Sequence, residues 1–354
     1  MKLNKLVSLL ALSIFAISAE AATPEVVAAA VKEGKVVIYS ATDQKSASPL
    51  IKDFEAAYPG IKVEYHDMNT TELYNRFIAE SAAGSSADVT WSSSMDLQVK
   101  LANDGYALAY KSSEAASLPS WAVWRDEAYG TTYEPLIFVY NKRLTDAADV
   151  PQSHAELTRL LSTKADKYKG KVTTYDPERS GVGFMLLAQD ELANSAGYAA
   201  MTKAFGAANV RVQASTGTMM ERVSSGENLL GYNILGSYAL LRAKQDPNIG
   251  IVYPKDYVLV LSRVMLIAKK AKNPNAAKLW LDYVLSKRGQ EKIANECDLY
   301  SLREDVSGET NAAALRKQLG SALKPVPIGP GLLSYLDQAK RLEFLKQWKT
   351  AIAP

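Results

Sequence analysis

The chain has 354 residues, of which 47% are hydrophobic and 22% charged, so it is long enough for one large or two medium globular domains. This composition excludes a disordered or collagen-like protein. The formal net charge is +3, which gives no whole-molecule reason to expect binding to nucleic acid or to an anionic membrane. Recognition of a charged partner therefore requires a local site.

Residues 1–21 have the pattern of a secretory signal peptide. Two lysines precede an apolar run over residues 6–17, and Ala19 and Ala21 form a small-residue cleavage site. The apolar run is too short to cross a bilayer. We predict cleavage after Ala21, export to a bacterial periplasm, and a mature chain that does not insert into the membrane.

The sequence offers few residues for catalysis or for holding a cofactor. Cys297 is the only cysteine, so an internal disulfide and a cysteine-based metal or redox centre are excluded. His66 and His154 are the only histidines, and no G-x-S-x-G, H-E-x-x-H or Walker A motif is present. We predict a protein that is not an enzyme and that holds no cofactor and no metal. A secreted hydrolase that uses His66 or His154 as its base is a weaker alternative.

Short β-branched or aromatic runs alternate with helical patterns, which predicts an α/β fold with mostly parallel sheets. The first β-α-β unit has strands at 36–39 and 61–65, and Ser48 and Pro49 predict the start of its helix. In the second unit, Thr71 caps a helix that leads to a strand at 88–91. Further strands are predicted at 136–140, 171–174, 210–212, 229–232 and 249–252, and further helices at 153–161, 180–193, 274–286 and 333–348.

These strands are too many for one core, and no linker divides the chain into independent halves. We therefore predict two lobes, each a mostly parallel sheet flanked by helices, joined by strands that cross at 133–140 and 258–268. The predicted boundaries are 22–134 for lobe 1, 135–258 for lobe 2, 259–305 for the return to lobe 1, and 306–354 for C-terminal helices that pack on the lobes.

Loops rich in small hydroxyl side chains follow several of the predicted strands. A two-lobed α/β protein binds ligands in the crevice at the carboxyl ends of its strands, where helix N-termini attract anions. Such loops suit a phosphate or carboxylate, and an arginine adds a bidentate partner. The alternative is that each hydroxyl only caps a helix. The candidates are Ser40, Thr42 and Asp43; Ser92, Ser93 and Ser94; Arg179, Ser180 and Gly181; and Ser215, Thr216, Gly217 and Thr218.

Motifs along most of the chain match a known family. They lie at 36–40, 54–63, 87–93, 140–142, 226–227 and 276–286. With them the chain resembles the extracellular solute-binding proteins of bacterial ABC importers, in the branch with ferric-ion, thiamine and sugar-phosphate or organophosphate binders. The resemblance implies a type II-like periplasmic-binding-protein fold whose lobes close over a solute, and a monomer that delivers the solute to a membrane permease driven by an ATPase.

Two ligand classes of this branch, ferric iron and organophosphates, require different site residues. Iron-binding members carry adjacent tyrosines, whereas the corresponding stretch here, 231–238, has only the separated Tyr232 and Tyr238, which remain alternative iron ligands. The resemblance to organophosphate binders implies that 40–43, 92–94 and 215–218 hold the phosphate of a small anionic solute. The polar residues expected to face its organic part are Asp43, Tyr133, Glu134, Arg179 and Tyr238.

Two of these expectations have alternatives. Trp91 either stacks on an apolar face of the solute or packs in the core. Glu134 either contacts a sugar or serves a cationic group, which favours an amino-organophosphate over a plain sugar phosphate. The residues alone do not rank the two solutes.

Overall fold

The computed structural model describes residues 23–84, 86–308 and 310–353. The predicted signal peptide, residues 1–21, lies outside the described residues. The helices are α1 (Pro24–Glu33), α2 (Gln44–Ala57), α3 (Thr70–Ala82), α4 (Met95–Asn103), α5 (His154–Thr163), α6 (Ala165–Tyr168), α7 (Gly181–Ala193), α8 (Ser195–Ala207), α9 (Thr216–Ser225), α10 (Gly236–Gln245), α11 (Pro274–Leu285), α12 (Lys287–Asn295), α13 (Ala312–Leu319) and α14 (Gln338–Ile352). The strands are β1 (Lys35–Ser40), β2 (Lys62–Asp67), β3 (Val89–Ser92), β4 (Val123–Trp124), β5 (Ala128–Gly130), β6 (Glu134–Asn141), β7 (Val172–Tyr175), β8 (Arg211–Gln213), β9 (Leu230–Leu235), β10 (Ile249–Val252), β11 (Val258–Leu261), β12 (Val264–Ile267) and β13 (Leu323–Pro325).

The strands form two sheets, and each sheet is the centre of one lobe. The sheet of lobe 1 has the order β2-β1-β3-β12-β5-β4, and that of lobe 2 has the order β13-β11-β6-β9-β7-β8, with β10 also paired to β6. Helices flank both sheets, so the two-lobed α/β prediction is confirmed.

Both sheets are mixed, which corrects the expectation of mostly parallel sheets. In lobe 1, β1 is parallel to β2 and β3, but β12 is antiparallel to β3 and β5. In lobe 2, β6 is antiparallel to β9, β10 and β11. The reason is that β6 and β12 begin where the chain has crossed between lobes, and each enters its new sheet against the direction of its neighbours.

Two short, adjacent segments carry the chain between the lobes, and a third crossing links α13 in lobe 1 to β13 in lobe 2. The first follows β5 and covers residues 131–133; the second, Ser262 and Arg263, joins β11 to β12. They run side by side, because the Thr131 N–H donates to the Arg263 carbonyl at 3.0 Å and the Arg263 N–H donates to Thr132 Oγ1 at 2.9 Å. Both crossings are shorter than the predicted 133–140 and 258–268, since most of those residues belong to strands.

Helix α2 begins four residues before the start that Ser48 and Pro49 predicted. It begins at Gln44 and contains Pro49 in its interior, rather than beginning at Ser48. The Gln44 N–H donates to Asp67 Oδ2 at 2.9 Å, so a carboxylate from β2 caps the first turn. Similarly, α3 is capped by the Asn69 side chain, which accepts from the Thr71 N–H, and not by Thr71.

The cores of the lobes are aromatic. In lobe 1, Trp280 meets Phe54 edge to face at a centroid distance of 5.1 Å. Cys297 is buried in this core, and burial raises the pKa of its thiol to about 12, so the reactive thiolate is scarce at neutral pH. Among the described residues, no helix combines the length and apolar character needed to cross a bilayer.

The C-terminal residues contribute to both lobes. Helix α13 places Ala312 and Leu315 in the core of lobe 1, whereas α14 places Phe344 and Trp348 in the core of lobe 2. Strand β13, which the sequence did not predict, pairs parallel with β11. The chain end is thus part of the packed fold.

Candidate functional site

A cavity of about 390 Å³ lies between the two lobes. Lobe 1 contributes Asp43, Asp67, Asn69, Thr70 and Ser93 to its wall, and lobe 2 contributes Tyr175, Ser215, Thr216, Leu235 and Tyr238. Small-molecule sites of this kind are concave and carry a few polar groups of fixed orientation. We refer to this cavity as the cleft.

The starts of several helices converge on the cleft. The residues directly before α2, α3, α9 and α10 are Asp43, Asn69, Ser215 and Leu235, and all four line it. Helix N-termini carry unpaired N–H groups and a partial positive charge. The cleft therefore presents the positive ends of helices from both lobes to an anion. The N–H groups of Gln44, Thr71 and Thr218 are already capped by side chains, and two carboxylates also line the cleft.

Five of the sequence-predicted residues line the cleft; four come from three of the four hydroxyl-rich loops, and the fifth, Tyr238, lies in α10. Asp43 and Ser93 lie on the wall of lobe 1, and Ser215, Thr216 and Tyr238 on that of lobe 2. The Ser215 hydroxyl caps α9 by accepting from the Thr218 N–H at 3.2 Å, and the Thr216 hydroxyl hydrogen-bonds the Tyr175 hydroxyl. Ser215 therefore both caps α9 and lines the cleft. Gly217 and Thr218 follow in α9 and do not line the cleft.

The other hydroxyls of the first two loops support the protein itself. The Ser40 hydroxyl donates to the Trp91 carbonyl at 3.1 Å and accepts from the Thr42 N–H. Ser92 Oγ accepts from the Ser94 N–H at 3.2 Å. These side chains are buried behind the wall of lobe 1. They shape the loops that end in the cleft but cap neither α2 nor α4, so the capping alternative does not describe them.

Trp91 and Tyr133 do not line the cleft. Trp91 is fully buried in the core of lobe 1, and its indole N–H donates to Thr131 Oγ1 at 2.8 Å. Tyr133 is buried in the same core, where its ring packs against Trp121. The structure thus places Trp91 in the core and not against a solute, because its side of β3 faces the helices that cover the sheet.

Glu134 is part of a buried ion pair that the sequence did not reveal. Arg263 Nε donates to Glu134 Oε1 at 2.7 Å, and both side chains are shielded from solvent. Arg263 Nη1 also donates to the Ala41 carbonyl and to Thr42 Oγ1, while Glu134 accepts from the Ser237 hydroxyl. Glu134 is therefore neutralised, and the expectation that it serves a cationic group of the solute is not supported.

The loop before α7 joins the lobes instead of lining the cleft. The Gly181 N–H donates to Thr71 Oγ1 at 3.1 Å, and the Val182 N–H donates to Thr70 Oγ1 at 3.3 Å. Ser180 Oγ caps α7 by accepting from the Gly183 N–H. Arg179 is exposed and does not line the cleft, so its predicted bidentate contact with the solute has no support in this arrangement. The helix start predicted to bind an anion is occupied by threonine hydroxyls of lobe 1.

The two alternative iron ligands are separated. Tyr238 lines the cleft, but Tyr232 is buried in the core of lobe 2, where its hydroxyl donates to Asp190 Oδ2 at 2.8 Å. Burial and the Asp190 carboxylate raise the pKa of Tyr232 well above its usual value, which opposes the phenolate that iron requires. Within the described ranges, no group of three or more histidine, cysteine or acidic residues is arranged to hold a metal.

The two histidines lie outside the cleft. The His154 ring stacks on Tyr257 at 3.9 Å, and its Nδ1 is 2.9 Å from Asp256 Oδ1. His66 Nε2 is 3.3 Å from Glu64 Oε1. Neither ring lines the cavity that contains Ser93 and Ser215, so the geometry required for a histidine base beside a serine nucleophile is not present there.

Asp96 is a buried carboxyl group beside the contact between the lobes. Ser94 Oγ donates to Asp96 Oδ1 at 2.9 Å, and the Leu97 N–H donates to the same oxygen at 2.8 Å. Burial raises the pKa of Asp96 to about 6, although these two bonds and the Arg341 charge act in the opposite direction. The folded protein therefore binds this proton more tightly than the unfolded chain.

This raised pKa predicts a pH dependence of stability. The free energy of unfolding should fall as the pH rises from about 4 to about 6, because the unfolded chain then ionises Asp96 while the buried carboxyl group of the folded protein keeps its proton. Asp96→Asn should lack this contribution, which is about 3 kcal/mol for a shift of about two pKa units. Urea unfolding of both proteins at a series of pH values measures the difference. Parallel stability curves for the two proteins would contradict the assignment.

Comparison with known proteins identifies the family. The model of the family "Bacterial extracellular solute-binding protein" matches residues 49–314, which is most of the chain. The chain belongs to this family. No curated protein matched the sequence.

Solved structures agree with this assignment. The substrate-binding protein of an ABC transporter from Agrobacterium tumefaciens is 42% identical, with a TM-score of 0.85 over 90% of this chain and 94% of that one. The periplasmic binding protein AfuA from Actinobacillus pleuropneumoniae, solved with fructose-6-phosphate, is 22% identical, with a TM-score of 0.74 over 90% and 98%. The ferric binding protein from Campylobacter jejuni is 20% identical, with a TM-score of 0.69 over 90% and 98%.

These relatives establish the class of the protein. The chain is a solute-binding protein of the kind that works with the permease and ATPase of an ABC transporter, and the family and the similar structures are binding proteins and not enzymes. The two more distant structures share the fold, and they bind chemically different solutes.

Proposed function

We propose that this protein captures a small organophosphate in the periplasm and delivers it to its permease. The observation that carries the proposal is the convergence of the starts of α2, α3, α9 and α10 on one cleft. The positive ends of these helices attract phosphate oxygens, and the hydroxyls of Ser93, Ser215 and Thr216 supplement them. The fructose-6-phosphate bound to the structurally similar AfuA supports the same solute class.

Capture requires no chemical step. The solute enters between the open lobes and first contacts one wall. Closure then adds the contacts of the other wall, and the bonds from Gly181 and Val182 to the threonines of α3 hold the lobes together. The closed form is favoured because it alone supplies both sets of contacts. Release to the permease reverses these steps.

Ferric iron is the weaker candidate. The Campylobacter jejuni ferric binding protein and AfuA are 20% and 22% identical to this chain, so identity does not favour either solute. Of the two tyrosines considered as iron ligands, only Tyr238 lines the cleft, and burial raises its pKa as well. A phenolate–iron complex absorbs visible light, so the colour of the purified protein separates the two candidates.

The first test identifies the solute directly. Native mass spectrometry of the purified protein would record any bound small molecule. A melting-temperature screen with hexose phosphates, phosphoglycerates, aminophosphonates and ferric citrate would follow. We expect stabilisation by an organophosphate and none by ferric citrate. Stabilisation by ferric citrate alone, with a coloured band, would overturn the proposal.

A serine substitution tests the position of the phosphate. Ser215→Ala removes a hydroxyl from the cleft and the cap of α9, and we expect organophosphate affinity to fall about fivefold, since such a bond contributes about 1 kcal/mol. Ser225→Ala at the opposite end of α9 is the matched control. Equal affinities of both variants in calorimetry would remove the start of α9 from the site.

A further inference from the structure

We propose that the solute carries an ammonium group as well as its phosphate, so that the cleft takes a zwitterionic amino-organophosphate. This inference rests on the proposed function and narrows its substrate class. It depends on the distribution of charge along the two walls of the cleft.

The charged side chains of the cleft are both acidic and both on lobe 1. Asp43 and Asp67 line it and are exposed, and no lysine, arginine or histidine of the described residues lines it with them. Asp67 accepts from the neutral Gln44 N–H, and neither carboxylate forms an ion pair within the described part of the chain. Arg263 lies behind Thr42, where Glu134 already neutralises its charge. Asp43 and Asp67 therefore have no ion-pair partner among the described residues, although Asp43 and the Arg263 charge attract each other over a longer distance.

A purely anionic solute does not suit this wall. A phosphate dianion beside Asp43 and Asp67 is repelled by both carboxylates, and helix N-termini supply only about half a positive charge each. A solute that places an ammonium group at the carboxylates removes this repulsion and gains charge-assisted hydrogen bonds. The acidic wall thus favours the amino-organophosphate over the plain sugar phosphate.

The wall of lobe 2 has the complementary character. Its polar groups in the cleft are the hydroxyls of Tyr175, Ser215, Thr216 and Tyr238, and no acidic residue is among those that line it there. The start of α9 is the place for the phosphate. The Tyr238 ring adds an aromatic surface on which a cation is attracted, and its hydroxyl is close enough to Asp43 for that carboxylate to raise its pKa further. The acidic residues that line the cleft thus lie on lobe 1, whereas lobe 2 supplies hydroxyls, an aromatic ring and the start of α9.

Matched pairs of probes test the ammonium group separately from the phosphate. Phosphoethanolamine and propyl phosphate have the same phosphate ester and the same chain length, but a methyl group replaces the ammonium in the second. Glucosamine 6-phosphate and glucose 6-phosphate are a larger pair that differs at one substituent. Isothermal titration calorimetry at pH 7 gives the affinity of each probe for the full protein.

We expect the wild-type protein to bind the ammonium-bearing member of a pair about tenfold or more tightly than its partner. Asp43→Asn and Asp67→Asn should each reduce this ratio severalfold without weakening the neutral-chain probe. Both aspartates are exposed, and asparagine keeps an acceptor for the Gln44 N–H, so both variants should fold. Glu291→Gln, which removes an exposed carboxylate from α12 outside the cleft, is the control and should leave the ratio unchanged.

The outcomes distinguish this inference from the proposed function. Equal binding within both pairs, or tighter binding of propyl phosphate and glucose 6-phosphate, would overturn the zwitterionic solute and leave the organophosphate proposal in place. A ratio that survives both aspartate substitutions would also overturn the assignment of Asp43 and Asp67. Failure of all four probes to bind would count against the organophosphate itself, and with it against this inference.

Discussion

Arg263→Met should lower the free energy of unfolding by about 3–5 kcal/mol, the usual cost of removing one partner of a buried ion pair. Glu134 would be left as an unpaired carboxylate with no solvent contact, since its other partners are the hydroxyls of Thr132 and Ser237. The destabilisation would be centred where the two crossing segments meet, since Arg263 belongs to one of them. The loop that contains Thr42 would also lose a hydrogen bond from Arg263. Urea unfolding measures the loss.

Two controls separate the buried charge from a general effect of losing an arginine. The double variant Arg263→Met/Glu134→Gln removes both charges, and we expect it to recover a large part of the loss. Arg288→Met breaks the more exposed pair with Asp53, whose two N–O distances are 2.7 and 3.0 Å, and should cost about 1 kcal/mol or less. Equal losses for Arg263→Met and Arg288→Met would show that burial does not govern the contribution of Arg263.

Gly181→Leu should weaken solute binding on the order of 100-fold. A Cβ atom on Gly181 would stand 2.9 Å from Ser94 Oγ, 3.0 Å from Leu97 Cδ1 and 3.2 Å from Thr70 Oγ1. A leucine side chain therefore holds α7 away from α3 and α4, and the lobes cannot approach as they do here. The open protein should remain folded, because the substitution lies at the surface where the lobes meet and not inside one core.

Binding and shape must be measured together for this variant. Calorimetry gives the affinity, and small-angle X-ray scattering should show that the added solute no longer reduces the radius of gyration. Gly331→Leu is the matched control, since a Cβ atom there meets no atom within 4 Å. Normal affinity of Gly181→Leu would mean that the contact between α7 and α3 is not needed for capture.

Local sequence patterns were sufficient for the class of fold. The β-α-β units at the start of the chain were predicted because a buried parallel strand and an amphipathic helix each have their own periodicity. Their exact starts were not, since Gln44 is capped by Asp67 from β2 and not by its own neighbours. Strand β13 was missed because it has only three residues and is defined by its pairing with β11.

The residues of the candidate site were also predicted only in part. The hydroxyl-rich loops after strands were correctly associated with helix starts, and Asp43, Ser93, Ser215, Thr216 and Tyr238 do line one cleft. Asp67 and Tyr175 also line it, but neither lies in a hydroxyl-rich loop and neither was predicted. Asp67 is the last residue of a strand that was predicted to end at residue 65, and a strand ending at 67 would have pointed to it.

The sequence by itself determined that the chain is a two-lobed α/β solute-binding protein, because hydrophobic periodicity, turn residues and family motifs are all local features. The tertiary structure decided which polar residues meet a solute. Glu134 and Arg263 are 129 residues apart and cancel each other's charge, and Gly181 bonds a threonine 110 residues away. Whether a side chain is neutralised, buried or directed into a cavity depends on such distant partners, and no local pattern encodes them.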